Sequence, residues 1–171
     1  MLLSRDDRRE RIRRELDGAA RKLAGHAAIK GQPQAEALLD EVPDLIEYPS
    51  VVAGSFASDF LALPEEVLIT TLIHHQHFFP VVGGNGKLLP AFLAVTNTQP
   101  VNDRAIAVNA GRVVTARLRD ARFFWDSDRT VGLEARLKRL DTVLFHKALG
   151  SYLAKTQRGQ GLTERLAGHF G

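Results

Sequence analysis

Apolar positions recur at helical spacing at both ends of the chain and at strand-like spacing in its middle. Over residues 4–25, Ile12, Leu16, Ala19 and Leu23 fall on one narrow stripe, with Ser4 placed to cap and acids in the first turn. The other faces carry Arg5, Arg8, Arg9, Arg11, Arg13 and Arg14. So thin a stripe predicts a helix lying as an arm on a larger body, ended by Gly25 and the Lys30–Pro33 stretch. A short second helix spans 34–42 and is closed by Pro43. Leu45–Tyr48 and Val51–Phe56 read as short strands with Pro49 between them. Pro64, followed by Glu65 and Glu66, opens a helix to about His75. His77–Val82 and Lys87–Val95 form a hairpin whose turn signal is Asn85–Gly86. From Asn102 the pattern is helical again. Val113, Leu118, Ala121, Phe124 and Trp125 mark one apolar face, Leu133, Leu137, Leu140 and Leu144 another, and Tyr152–Phe170 a last helix. The fold class is α+β: a small antiparallel sheet with a hairpin, flanked by an N-terminal helical arm and C-terminal helices. The expected organisation is an arm at 1–32, a body domain at 33–145 and the start of a following helical domain at 146–171.

Composition changes this picture little. With 171 residues, 44% hydrophobic and 25% charged, the chain can bury a core without disulfide or metal. Zero cysteines exclude a disulfide framework, a thiolate zinc site and a cysteine nucleophile. The longest uncharged run, from Val67 to the residue before Lys87, is broken by His74, His75, His77, Pro80 and glycines, so it does not read as a membrane span. The N-terminus has no apolar stretch of the signal-peptide kind.

Charge is partitioned. Residues 1–30 carry nine basic and five acidic side chains, residues 31–86 eight acids and no Lys or Arg, and residues 87–171 fourteen basic and seven acidic. Either the molecule has two faces of opposite sign, the basic one suited to phosphate, or the segments pack together and neutralise.

Several chemistries lack their residues. His74 and His77 have the spacing of two ligands on one helix, but no third ligand follows from position, so they read as surface histidines rather than a metal site. There is no GxxxxGK[ST] loop, no GxGxxG and no GxSxG elbow. Gly83–Gly84–Asn85–Gly86 sits between strands, where a hairpin turn explains it. No carboxylate pair stands out, and no catalytic residue is assigned. The main functional lead is Arg112, Arg119, Arg122 and Arg129, which share one broad helical face with Phe123, Phe124 and Trp125 as apolar anchor. This face either contacts phosphate or pairs internally with Asp120, Asp126 and Asp128.

Six blocks, in order, resemble the bacterial glycyl-tRNA synthetase β subunit. They are Leu38-Leu39-Asp40-Glu41-Val42 with Leu45-Ile46-Glu47-Tyr48-Pro49; Phe60 to Leu68; His75 to Val81; Gly86 to Pro90 with Phe92, Val95 and Asn97; Arg117-Leu118, Asp120-Ala121, Phe123-Phe124-Trp125 and Asp128-Arg129; and Leu144 to Lys147 with Leu149-Gly150, Lys155 and Arg158. The fifth is the most distinctive. The chain departs from the family at Val108-Asn109-Ala110-Gly111, where Gly-Asn-Glu is usual. The family subunit is several times longer, so the chain reads as an internal fragment. Its last residues then fall near the start of an HD-like domain, although no His-Asp dipeptide occurs in this chain.

The resemblance implies a cytoplasmic, non-catalytic segment that contacts or scaffolds tRNA, from a middle region resembling archaeal CCA-adding enzymes. It implies partnership with an α subunit, in a complex of two α and two β chains. Glycine activation with ATP and Mg then belongs to the α subunit, and no cofactor to this chain. The RNA-contacting candidates are Arg112, Arg119, Arg122 and Arg129. The rival expectation is a protein-interaction module docking through the acidic middle without RNA contact; the remotest is a metal-dependent hydrolase at His74 and His77.

Overall fold

The computed structural model describes residues 4–27, 29, 32–98 and 102–170. It divides into two compact units, one up to Phe123 and one from Phe124.

The first unit is a sheet with helices on both faces. In chain order it contains α1 (Arg5–Lys22), β1 (Gly25–Ala27), α2 (Pro33–Leu45), β2 (Ser50–Ser55), a 3-10 turn at Ser58–Ala62 and α3 (Glu65–Ile69). The last of these continues as a π-helix from Thr70 to His75. Then come β3 (Phe78–Gly83), β4 (Leu88–Thr96) and α4 (Asp103–Thr130), which runs on past the boundary between the units. The four strands are antiparallel in the order β1-β3-β4-β2. The hairpin β3–β4 turns where expected, with Gly86 at φ +76°. Pro80 lies one residue past the pairing with β1, so its missing N–H interrupts no ladder bond there.

Central strands bury both faces, and β4 makes the alternation plain. Ala91 and Leu93 join Ile12, Leu16, Ala20, Leu38, Leu39, Phe79 and Val81 on one side. Phe92 and Ala94 join Phe56, Phe60, Leu68, Leu72, Val114 and Leu118 on the other. Phe92 stacks on Phe78, ring centroids 4.9 Å apart, and lies across the strand at Gly54, where any Cβ would run into the ring.

Three expectations change. First, α1 is not a peripheral arm: Ile12, Leu16 and Ala20 are fully buried in the main core. Its end is set by a capping box in which Ser4 and Asp7 exchange hydrogen bonds. Second, α2 continues to Leu45 with Pro43 inside it. Pro43 sits in the last turn, and arginines of α1 serve the carbonyls there: Arg5 donates to the Asp40 carbonyl at 2.7 Å and Arg8 to that of Pro43 at 3.0 Å. Third, Leu45–Tyr48 is no strand. The N–H groups of Glu47 and Tyr48 both donate to Oδ1 of Asn97, which holds a loop where a ladder was expected.

The second unit contains the end of α4, α5 (Leu133–Leu137), a 3-10 turn at Lys138–Thr142, the two-stranded β5 (Leu144–His146) and β6 (Gly150–Ser151), and α6 (Tyr152–Phe170). The predicted leucine face from 133 to 144 is thus not one helix; it breaks into three elements. Arg136 anchors the end of α4, pairing with Asp128 at 2.9 Å and donating to the Ser127 and Val131 carbonyls. Phe145 meets Tyr152 edge-on, with Lys155 over the Phe145 ring at 4.2 Å. Among the described residues of this unit none is buried. No described helix is long and apolar enough to cross a membrane.

Candidate nucleic-acid interface

Arginines of α1 turn onto the acidic middle: Arg5 pairs with Asp44 and Arg9 with Asp40, both at 2.7 Å. The guanidinium of Arg5 hydrogen-bonds Asp44 and holds its carboxyl below the ordinary 3.8, and Asp44 in turn raises Arg5. At these residues the N-terminal basic segment neutralises the acidic one.

The arginines of α4 are placed otherwise. Asn102 starts the helix, its Oδ1 accepting from Ala105 N–H at 3.0 Å. Val114 and Leu118, both fully buried, fix it to the sheet. Gly111 permits the closest approach, since a Cβ there would stand 2.9 Å from the Ser55 carbonyl oxygen. Arg122 is structural: its guanidinium lies 4.4 Å over the Phe60 ring and donates to the Asp59 carbonyl. Arg112 and Arg119 are exposed and have no ion-pair or hydrogen-bond partner among the described residues. Both line one open cleft of about 710 Å³, walled by Ala53–Ala57 of β2 and its exit and by Ala107, Val108, Gly111, Thr115 and Ala116 of α4.

Arg129 falls in the second unit, 5.8 Å over Trp125. The four candidates therefore separate into two on the cleft, one docking the helix and one on the tryptophan. None pairs with Asp120, Asp126 or Asp128 among the described residues. Phe123 and Phe124 are 69% and 63% exposed, while Val114, Leu118 and Phe60 share a buried cluster where α4 meets the sheet.

His74 and His77 line a separate cleft of about 330 Å³ with Gln34, Leu38 and Glu41. His77 lies two residues past the π-helix, at φ +54°. Among the described residues no group of three His, Cys, Asp or Glu side chains could hold a metal. The arginine-lined cleft itself escaped the sequence, because it joins a strand to a helix far along the chain. The one available signal was Gly111, a glycine inside a helical pattern with a packing reason to be there.

A family model described as glycyl-tRNA synthetase beta subunit matches residues 1–170. Similar proteins include the glycine–tRNA ligase beta subunits of Trichlorobacter lovleyi, 41% identical over 98% of this chain, and of Acidobacterium capsulatum, 45% identical over 94%. That of Geobacter sulfurreducens is 43% identical over 94%. The chain spans 24%, 22% and 23% of these three relatives' own lengths. The ordered blocks from Leu38 to Arg158 and a family match across nearly every residue lead to one assignment: the chain belongs to the glycyl-tRNA synthetase beta subunit family.

Proposed function

We propose that this chain is a tRNA-contacting and scaffolding segment of a glycine–tRNA ligase, serving glycyl-tRNA synthesis in the cytoplasm without an active site of its own. The observation that carries the reading is the pair Arg112 and Arg119, exposed on one helix, unpartnered among the described residues and lining one cleft. Exposed guanidinium groups with no internal acid keep their affinity for phosphate. Arg129 extends the same role from the second unit. Glycine activation with ATP and Mg belongs to an α subunit partner, in an assembly of two α and two β chains. Docking of a protein through the acidic middle is the weaker reading, because Asp40 and Asp44 already hold Arg9 and Arg5.

The test is tRNA binding by the purified chain and its single Arg→Gln variants, titrated at several salt concentrations. Each lost phosphate contact should reduce the log K against log salt slope by roughly 0.7–0.9. Arg112→Gln and Arg119→Gln should do so without loss of thermal stability. Arg122→Gln should lower stability and leave the slope alone. Unchanged slopes for Arg112, Arg119 and Arg129 variants would defeat the reading.

A further inference from the structure

The cleft between β2 and α4 has features that phosphate contact alone does not use. β2 is an edge strand, paired only with β4 among the described residues. Phe56 N–H donates to the Pro90 carbonyl, next in register after Ser55 opposite Ala91. Alternation then turns Gly54 and Val52 towards β4, and the N–H and C=O groups of Ala53 and Ser55 away from it. Those outward groups belong to residues that line the cleft, opposite the wall that carries Arg112 and Arg119. No backbone or side-chain hydrogen bond takes them up among the described residues.

We propose that this cleft binds one unpaired nucleotide, its phosphate on Arg112 and Arg119 and its base edge on the Ala53 main chain and the Ser55 N–H, the Ser55 carbonyl being covered by Gly111. The inference rests on the reading of α4 as an RNA-contacting surface and adds what that surface selects. Three observations favour a nucleotide. The cleft, at about 710 Å³, is of the size that takes a small ligand. Its walls of Ala53, Gly54, Ala107, Gly111 and Ala116 are small and apolar, suiting a flat ring. The outward main-chain groups alternate donor and acceptor, as an unpaired base edge does. An extended peptide adding to β2 fits less well. α4 crosses that edge at Ser55, where Gly111 is so close that a Cβ would be 2.9 Å from the carbonyl oxygen, and this stops an added strand.

The experiment measures fluorescence anisotropy of the purified chain with a short single-stranded oligoribonucleotide and with the same strand in a duplex. Ala116→Leu is the diagnostic variant, because Ala116 is exposed on the cleft wall and leucine suits a helix. The single strand should bind about tenfold more tightly than the duplex, within what one base contributes by stacking and burial. Ala116→Leu should remove that preference and leave duplex binding and the circular dichroism spectrum unchanged. Arg112→Gln should weaken both. Competition by free AMP would identify a mononucleotide as the occupant, and its failure to compete a nucleotide within an RNA strand. Equal binding of strand and duplex, with Ala116→Leu silent, would overturn the inference while reduced salt slopes in the arginine variants kept the broader reading. Arginine variants without effect would defeat that reading itself, and displacement of the strand by polyglutamate but not by AMP, with Ala116→Leu silent, would reassign the cleft to a protein.

Discussion

Phe92 holds its place because Gly54 has no side chain. A methyl group there meets a fully buried ring already stacked on Phe78, and neither neighbour has room to give. Gly54→Ala should cost about 1–3 kcal/mol, the usual range for an overpacked core. At ~2–4 °C per kcal/mol for a chain of this size, a thermal melt will register the loss. A melt within 1 °C of the parent, about 0.3 kcal/mol on that scale, would mean the ring shifts freely. Ala24 presents the reverse case, held at φ +55° between α1 and β1. Ala24→Gly should stabilise by about 1 kcal/mol, read from the midpoint of urea unfolding. Gly86 was legible in the sequence because its turn is local, Asn85–Gly86 between two apolar runs. Gly54 was not, since the ring that needs the space arrives from a different strand.

At the scale of elements, α1 packs more deeply than its narrow apolar stripe suggests, with Ile12, Leu16 and Ala20 fully buried. Ile12 and Leu16 were on the predicted stripe, yet the stripe's narrowness suggested a loosely laid arm. Ala19 and Ala20 explain the difference: small side chains bring the helix close to its neighbours, so few residues reach full burial. Amide exchange in α1 should therefore be as slow as in β3 and β4, and rapid exchange from residues 10–20 would return it to the status of an arm. The helix is also tied to pH. Asp7 is held below its ordinary 3.8 by hydrogen bonds from the Ser4 hydroxyl and backbone N–H, and Asp44 by its hydrogen bond from Arg5. Each carboxyl is more acidic in the folded chain than in the unfolded one. Their contribution is complete above that ordinary value and is lost as pH falls through 3.8 towards the depressed folded values. Unfolding followed between neutral pH and about pH 2 should show an acid limb that Ser4→Ala and Asp44→Asn together make shallower. An unaltered limb would place acid sensitivity elsewhere.

For the molecule as a whole, the two units differ in kind. The first has a core on each face of its sheet, and the second has no buried side chain among its described residues, with Leu133 and Phe170 87% and 82% exposed. Stability scales with apolar area removed from water, so the second unit has little of its own. Amides of residues 133–170 should exchange much faster than those of β3 and β4, on a timescale separate from global unfolding. Equal protection would reveal packing that the exposed leucines do not suggest. Sequence periodicity found the leucines at 133, 137, 140 and 144 but not their exposure, because spacing reports which residues share a face and not whether anything covers it. The partition of charge was equally visible, whereas its outcome was not: Arg5 and Arg9 of α1 meet acids of α2, and Arg112 and Arg119 of α4 line the cleft.

The pairing of Gly54 with Phe92 also bears on how related sequences can diverge. Ring and missing side chain are two halves of one fit, so neither position is free to change first. A lineage that gains a side chain at the position of Gly54 before losing the ring passes through a destabilised intermediate. One that shrinks the ring first passes through a cavity, at about 3–5 kcal/mol for Phe to Ala. The two positions should therefore change together among relatives, and a family member with alanine or larger at the first should have a smaller side chain at the second.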